Sequence, residues 1–154
     1  MATEISSLTR AKSQLGQALI EMALVLPLIF VFILLLVDFG IAIDRREVLQ
    51  HAVREGARRA AVTTDTTNII DTTVDQSQGI LAPADVSVCY VNTNGDGTVG
   101  NAGDGVRVSA IFTYEFTAGG GEMLSAWGVP VPSIDMTPHG QARLELSVPG
   151  ATSC

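Results

Sequence analysis

The chain has 154 residues and a formal net charge of -7, with 9 basic residues against 16 acidic ones. That acidity argues against a nucleic-acid partner, which calls for a basic surface. Only 16% of residues are charged while 47% are hydrophobic, a balance that points to a membrane-tethered protein with one outer domain.

The charges fall in three unlike parts. Residues 1–16 carry Glu4, Arg10 and Lys12. Residues 22–37 carry none, and residues 17–60 as a whole hold five arginines and five acids. Residues 61–154 carry only Arg107 and Arg143 against ten acids. The uncharged run Met22–Val37 rises about 24 Å as a helix, short of a hydrocarbon core of roughly 30 Å. Extending it through Gln17–Ile20 and Phe39–Ile43 supplies the length and brings in Glu21 and Asp38 near the two boundaries. A cleaved secretory signal is the competing reading. The apolar run is long for one, no small-x-small site follows Val37, and the chain goes on as Asp44-Arg-Arg-Glu47 into another helical pattern. A plain signal anchor fits better. Arginines after the span lean slightly against an outward C-terminus by the positive-inside count. The acidic outer part and its two cysteines favour the outward orientation.

The stretch Leu15-Gly16-Gln17-Ala18-Leu19-Ile20-Glu21-Met22 leads into the apolar run with an internal Pro27. Asp38-Phe39-Gly40 closes that run, and residues 54–58 read Arg-Glu-Gly-Ala-Arg. On these motifs the chain resembles the TadE/TadG-like minor pseudopilins of tight-adherence (Tad) pili, strongly over residues 16–62 and only in general layout beyond. Met22 stands where the family more usually has Phe. The resemblance implies a polar leader, residues 1–16, cut by prepilin peptidase between Gly16 and Gln17. It implies that Glu21, as the fifth mature residue, and Pro27 serve assembly. The partners implied are the peptidase, other pilus subunits, the inner-membrane assembly platform and membrane lipid. The location implied is the inner membrane, single-pass, with the C-terminal domain outside. The family's associations with secretion and adhesion follow in the same way.

Physical chemistry bears on Glu21 directly. A carboxylate beside an apolar core is costly and calls for a partner. Cleavage would free the ammonium of Gln17, four residues and one helical turn away. The pair can form within one subunit or between neighbours; a carboxylate that reaches interfacial water is the plainer alternative. Pro27 removes one backbone donor and marks either an ordinary kink or a bend useful in packing.

Residues 44–62 show an amphipathic helical pattern. Val48, Ala52, Gly56 and Ala60 recur at steps of four beside Leu49, Val53, Ala57 and Ala61. This narrow stripe of small residues allows close backbone approach, in a filament core or against a small sheet. Residues 17–62 as one helix would rise about 69 Å, a membrane and stalk helix. Thr63–Thr67 breaks it, and Ile69, Ile70, Val74 and Ile80 predict a second short helix ending near Gly79.

Alternation then predicts three strands, around Val86–Val91, Val106–Phe116 and Ala142–Val148. Gly119–Gly121, Pro130, Pro132 and Pro138 make residues 117–139 a loop region, with a helical turn or two near Glu122–Trp127. Trp127 reads as a packing anchor. The predicted fold class is α+β: a long N-terminal helix, then residues 63–154 as an extracytoplasmic domain of small antiparallel sheet and short helix.

Cys89 and Cys154 are the only cysteines and lack metal-ligand spacing. An exported location permits an internal disulfide; an intermolecular bridge and free thiols are the alternatives. Asn92-Thr-Asn-Gly-Asp-Gly97 has the one-three-five oxygen spacing that opens a calcium loop, but the twelfth position is Gly103 rather than Glu, and Asp104 comes one residue late. A Gly/Asn turn between strands accounts for it. His51 and His139 have no evident partner, Gly119–Gly121 lacks the Lys-Ser/Thr of a phosphate loop, and no nucleophile-base set appears. The sequence therefore predicts no enzymatic activity and no cofactor. Its leading function is that of a minor pilus subunit. The second is a membrane-anchored extracytoplasmic binding or scaffold protein that never enters a filament.

Overall fold

In the computed structural model the backbone is described for residues 2–116, 120–131 and 133–154, and side chains for 16–116, 121–131 and 133–154. The side chains before Gly16, where the sequence suggests a leader, and the expected breakers Gly119 and Pro132 lie outside the described residues. The fold is α+β: a long helix α1 (Ala2–Ala60) and a short helix α2 (Thr66–Gln76) precede strands β1 (Val86–Val91), β2 (Gly105–Ala110) and β3 (Phe112–Glu115). A two-turn helix α3 (Gly120–Ala126) and strands β4 (Ser133–Met136) and β5 (His139–Arg143) complete it. Two compact units divide the chain: Met1–Phe39 with Phe116–Val131, and Gly40–Glu115 with Pro132–Cys154.

In the second unit, α1 buries the predicted small-residue stripe. Leu49, Ala52, Val53, Gly56, Ala57 and Ala60 are all buried. Two glycines explain how near the elements come. A Cβ on Gly56 would fall 2.1 Å from Thr73 Oγ1 of α2 and 3.4 Å from Val108 of β2. A Cβ on Gly140 of β5 would fall 2.4 Å from the Val53 carbonyl oxygen of α1. Helix and sheet meet backbone to backbone there.

The break after α1 is built as its residues dictate. Asp65 caps α2, its side chain accepting from the Thr67 and Asn68 amides. Ile69 and Thr73 are buried, and the Thr73 hydroxyl donates back to the Ile69 carbonyl at 2.8 Å, which removes the cost of burying it. Gln78 and Gly79 end the segment with positive φ.

The main sheet is antiparallel in the order β1-β2-β5. Val106, Val108 and Ala110 of the central strand are fully or almost fully buried. The second predicted strand, Val106–Phe116, divides into β2 and β3, which pair with different partners. The cause is Pro138: the Ala110 amide donates to its carbonyl at 3.0 Å, and proline has no N–H to return. Register nevertheless carries across the break. Ser109 faces His139 on one side of it and Phe112 faces Met136 on the other, so β2–β3 and β4–β5 are one bent two-stranded ladder. Even-numbered side chains stay on the buried face from Val106 through Phe116, Phe112 being half-buried.

Two expectations are corrected. The 117–139 region holds strand β4 besides the expected helical turn or two, here α3, and the last strand is His139–Arg143 rather than Ala142–Val148. The alternation is real, since Leu144 and Val148 are buried, but β2 begins only at Gly105, opposite Arg143. Beyond it the chain bonds irregularly, with Leu144 N–H to the Asp104 carbonyl, Glu145 N–H to Ala61 and Val148 N–H to Gly100. Trp127 is also corrected: it is 63% exposed and anchors no protein core.

The two cysteines form an internal disulfide, Cys89–Cys154, with 65 residues of separation. The tail joins the free edge of β1, where Tyr90 N–H donates to Thr152 O and Cys154 N–H to Tyr90 O. Closing a loop of that size stabilises by about 4 kcal/mol in the chain-entropy account.

The close approach at Gly140 generates a test. Gly140→Ala forces a methyl against immovable backbone and should lower stability by about 2–3 kcal/mol, read from the denaturant midpoint. Gly40→Ala, with open space at its Cβ, should not lower it. Equal stability of Gly140→Ala and parent would contradict this packing.

Candidate assembly surface

Gly16–Ala60 is, among the described residues, the one helix long and apolar enough to cross a membrane. Its front end lies bare. Side chains from Gly16 through Phe30 are exposed all round, Leu24 at 75%. An apolar helix with no protein cover on any face fits a lipid or helix-packed environment, where its backbone bonds are satisfied within the segment. Gly16, Gln17 and Glu21 are on this exposed stretch, and a Cβ at Gly16 would meet nothing within 4 Å. One helical turn separates Gln17 from Glu21. Pro27 sits inside the helix without ending it.

Cover begins at Val31, 6% exposed, continues with half-buried Leu34 and Leu35, and reaches Asp38 at 0%. These positions lie on one face. The same face runs on through Ala42 and Leu49 to Gly56.

The Arg-Glu-Gly-Ala-Arg string at 54–58 divides by face. Gly56 and Ala57 are buried, while Arg54 and Arg58 are exposed. Glu55 accepts from Arg58 Nε at 2.9 Å, and this hydrogen bond lowers the carboxyl pKa and raises that of the guanidinium. So exposed a pair stabilises little. Arg59 donates to Asn68 Oδ1 at 2.6 Å, tying α1 to the start of α2. The sequence signalled a small-residue stripe but not its target, Thr73, because a threonine in a polar helix gives no sign of burial.

The Asn92–Asp96 oxygens turn to the chain itself. Asn92 Oδ1 accepts from Gly95 N–H at 2.7 Å, and Asn94 Oδ1 from Asp96 N–H at 3.0 Å. Asp96 accepts from the amide and hydroxyl of Thr98 and from the side-chain amides of Asn94 and Asn101. Asp104, which composition alone did not single out as structural, is the buried anchor of this loop. Its two oxygens accept from Thr93 N–H and Asn101 N–H at 3.2 and 3.0 Å, fastening both ends. Among the described residues no group of three or more His, Cys, Asp or Glu is arranged to hold a metal ion.

His51 lies with Asp44, Arg46, Glu47 and Arg54 on an open cleft wall of α1, opposite Asp75 and Gln76 of α2. His139 begins β5, and its carbonyl accepts from Gln50 Nε2 at 3.0 Å.

The chain matches the family model described as TadE-like protein over residues 16–58, just over a quarter of its length. The match starts at Gly16 and ends at Arg58, the two ends of the motifs described above. No curated protein and no solved structure matches the chain. The match ties the helical part of this chain to TadE-like proteins; residues beyond it are outside the likeness.

The Asp96 cluster gives a pH prediction. Hydrogen bonds, those from Thr98 first, hold its carboxyl down from 3.8 to about 2. A depressed folded pKa means the loop's ordering is fully present above the ordinary value and lost as pH falls through about 2. The Thr98 amide resonance should titrate with that midpoint and lose the transition in Asp96→Asn. A midpoint at 3.8 would show the carboxyl to be free.

Proposed function

We propose that this chain is a minor pilus subunit, a pseudopilin, that takes part in assembling a Tad-type pilus or its base after prepilin peptidase cuts between Gly16 and Gln17. The observation that carries this reading is the family-model match, which begins at the residue where the leader would end. The bare apolar front of α1 supports it, since a membrane holds such a helix and a filament core can take it over. On this reading residues 1–16 are the leader, 17–62 the membrane and stalk helix, and 63–154 the extracytoplasmic domain. The protein waits in the inner membrane with its C-terminal domain outside, and its partners are the peptidase, other pilus subunits and the assembly platform.

The mechanism is assembly rather than turnover. Cleavage creates a positive Gln17 amino terminus at the edge of the apolar core. Glu21 of the same or a neighbouring subunit neutralises it, and in a medium of low dielectric constant that attraction is far stronger than in water. Between subunits it also fixes axial register, because a slipped neighbour leaves a buried charge unmatched. Pro27 frees one carbonyl within the helix and permits the span to bend as it leaves lipid for protein neighbours.

The mature N-terminus tests the proposal. Mass analysis of protein from cells with active prepilin peptidase should find a chain beginning at Gln17, and a bulky residue at position 16 should block the cut. Intact leader in such cells would sink the reading. Glu21→Gln separates assembly from folding. The variant should be exported, cut and disulfide-bonded like the parent, yet recover pilus partners about tenfold less well in quantitative cross-linking, the ratio that ~1.4 kcal/mol yields. Equal recovery would leave Glu21 as an interfacial carboxylate.

A further inference from the structure

Between β3 and β4 the chain makes an excursion, Phe116–Val131, that shares a compact unit with Met1–Phe39. Glu122 is its only charged residue. Within this unit the excursion is the chain outside α1.

Its end is apolar and bare: Trp127 is 63% exposed, Val129 45% and Val131 40%. Its backbone is closed on itself. After α3 the amides of Trp127 and Val129 both donate to Leu124 O at 3.0 Å, and that of Gly128 donates to Ser125 O at 2.9 Å. Gly128 takes the positive φ of 77° that this helix ending requires. Pro130 has no N–H to satisfy. Four consecutive residues thus present no free backbone donor, which lowers the cost of lying against lipid.

We propose that Gly121–Val131 is an interfacial membrane element that lies in the lipid headgroup region beside the end of the span, with Trp127, Val129 and Val131 in contact with lipid. The indole suits that level, its ring among acyl chains and its N–H toward water. Glu122, in the first turn of α3, marks the polar side. The inference rests on α1 spanning the membrane and holds whether or not the chain enters a pilus.

Trp127 is the only tryptophan, so the full chain reports on this segment without substitution. Purified protein is reconstituted into phosphatidylcholine–phosphatidylglycerol vesicles, floated, and washed with alkaline carbonate. Its fluorescence is then read with lipids brominated near the headgroup or near the chain end, and with aqueous iodide. The proposal expects a carbonate-resistant protein whose emission is shifted to shorter wavelength. Shallow bromolipid should quench it more strongly than deep bromolipid, and iodide hardly at all. A floated, carbonate-resistant protein quenched by iodide and untouched by bromolipid overturns the interfacial element and leaves the span intact. Shielding from iodide that appears only as protein-to-lipid ratio rises also overturns it, in favour of a neighbouring protein. Loss of the chain from the vesicles in carbonate overturns span and element together.

Discussion

Because α1 is one unbroken helix, its sequence has to change the face it offers without changing its geometry. Up to Phe30 it is apolar all round and uncovered; from Val31 one face closes, and by Leu49 that face is the centre of a protein core. The change is one of composition, from bare branched and aromatic side chains to alanines and glycines that admit backbone. Within the second unit the sheet and α2 are arranged on this helix, and the position of Gly56 and Gly140 sets how closely.

That closeness has a physical return. Small residues bury little apolar area each, at roughly 25 cal/mol per Å². The core compensates by contact: Leu49, Val53, Ile69, Val106, Val108 and Leu144 are nearly or wholly inaccessible to solvent and fill the space that glycine leaves. A disulfide then fastens the tail to the free edge of β1, where an unpaired strand edge would otherwise stand open.

The sequence made the helix, its buried stripe and the cap of the second helix legible, because those rest on periodicity and local hydrogen bonding. It also showed which face of residues 106–116 is buried. It did not show where the ladder bends, since Pro138 acts on Ala110 from another strand. Nor did it show that Asp104 fastens the long loop, because an acid among glycines looks solvated. Trp127 is hidden for a related reason: a large ring is ordinarily core, and nothing local in the sequence signals its exposure. The front of α1 is the converse case, where Gly16, Glu21 and Pro27 stand out in sequence while the structure shows them simply exposed.

The ladder that bends without losing register limits how this fold can vary. Ser109 opposite His139 and Phe112 opposite Met136 belong to one count, so an inserted or deleted residue at Ile111 would turn every side chain of β3 to the other face unless Thr137 or Pro138 changed with it. A change of length between Glu115 and Ser133, past the ladder's last pair, leaves that count untouched, so the chain between them can be lengthened or shortened without turning over a single buried side chain of β2 or β3.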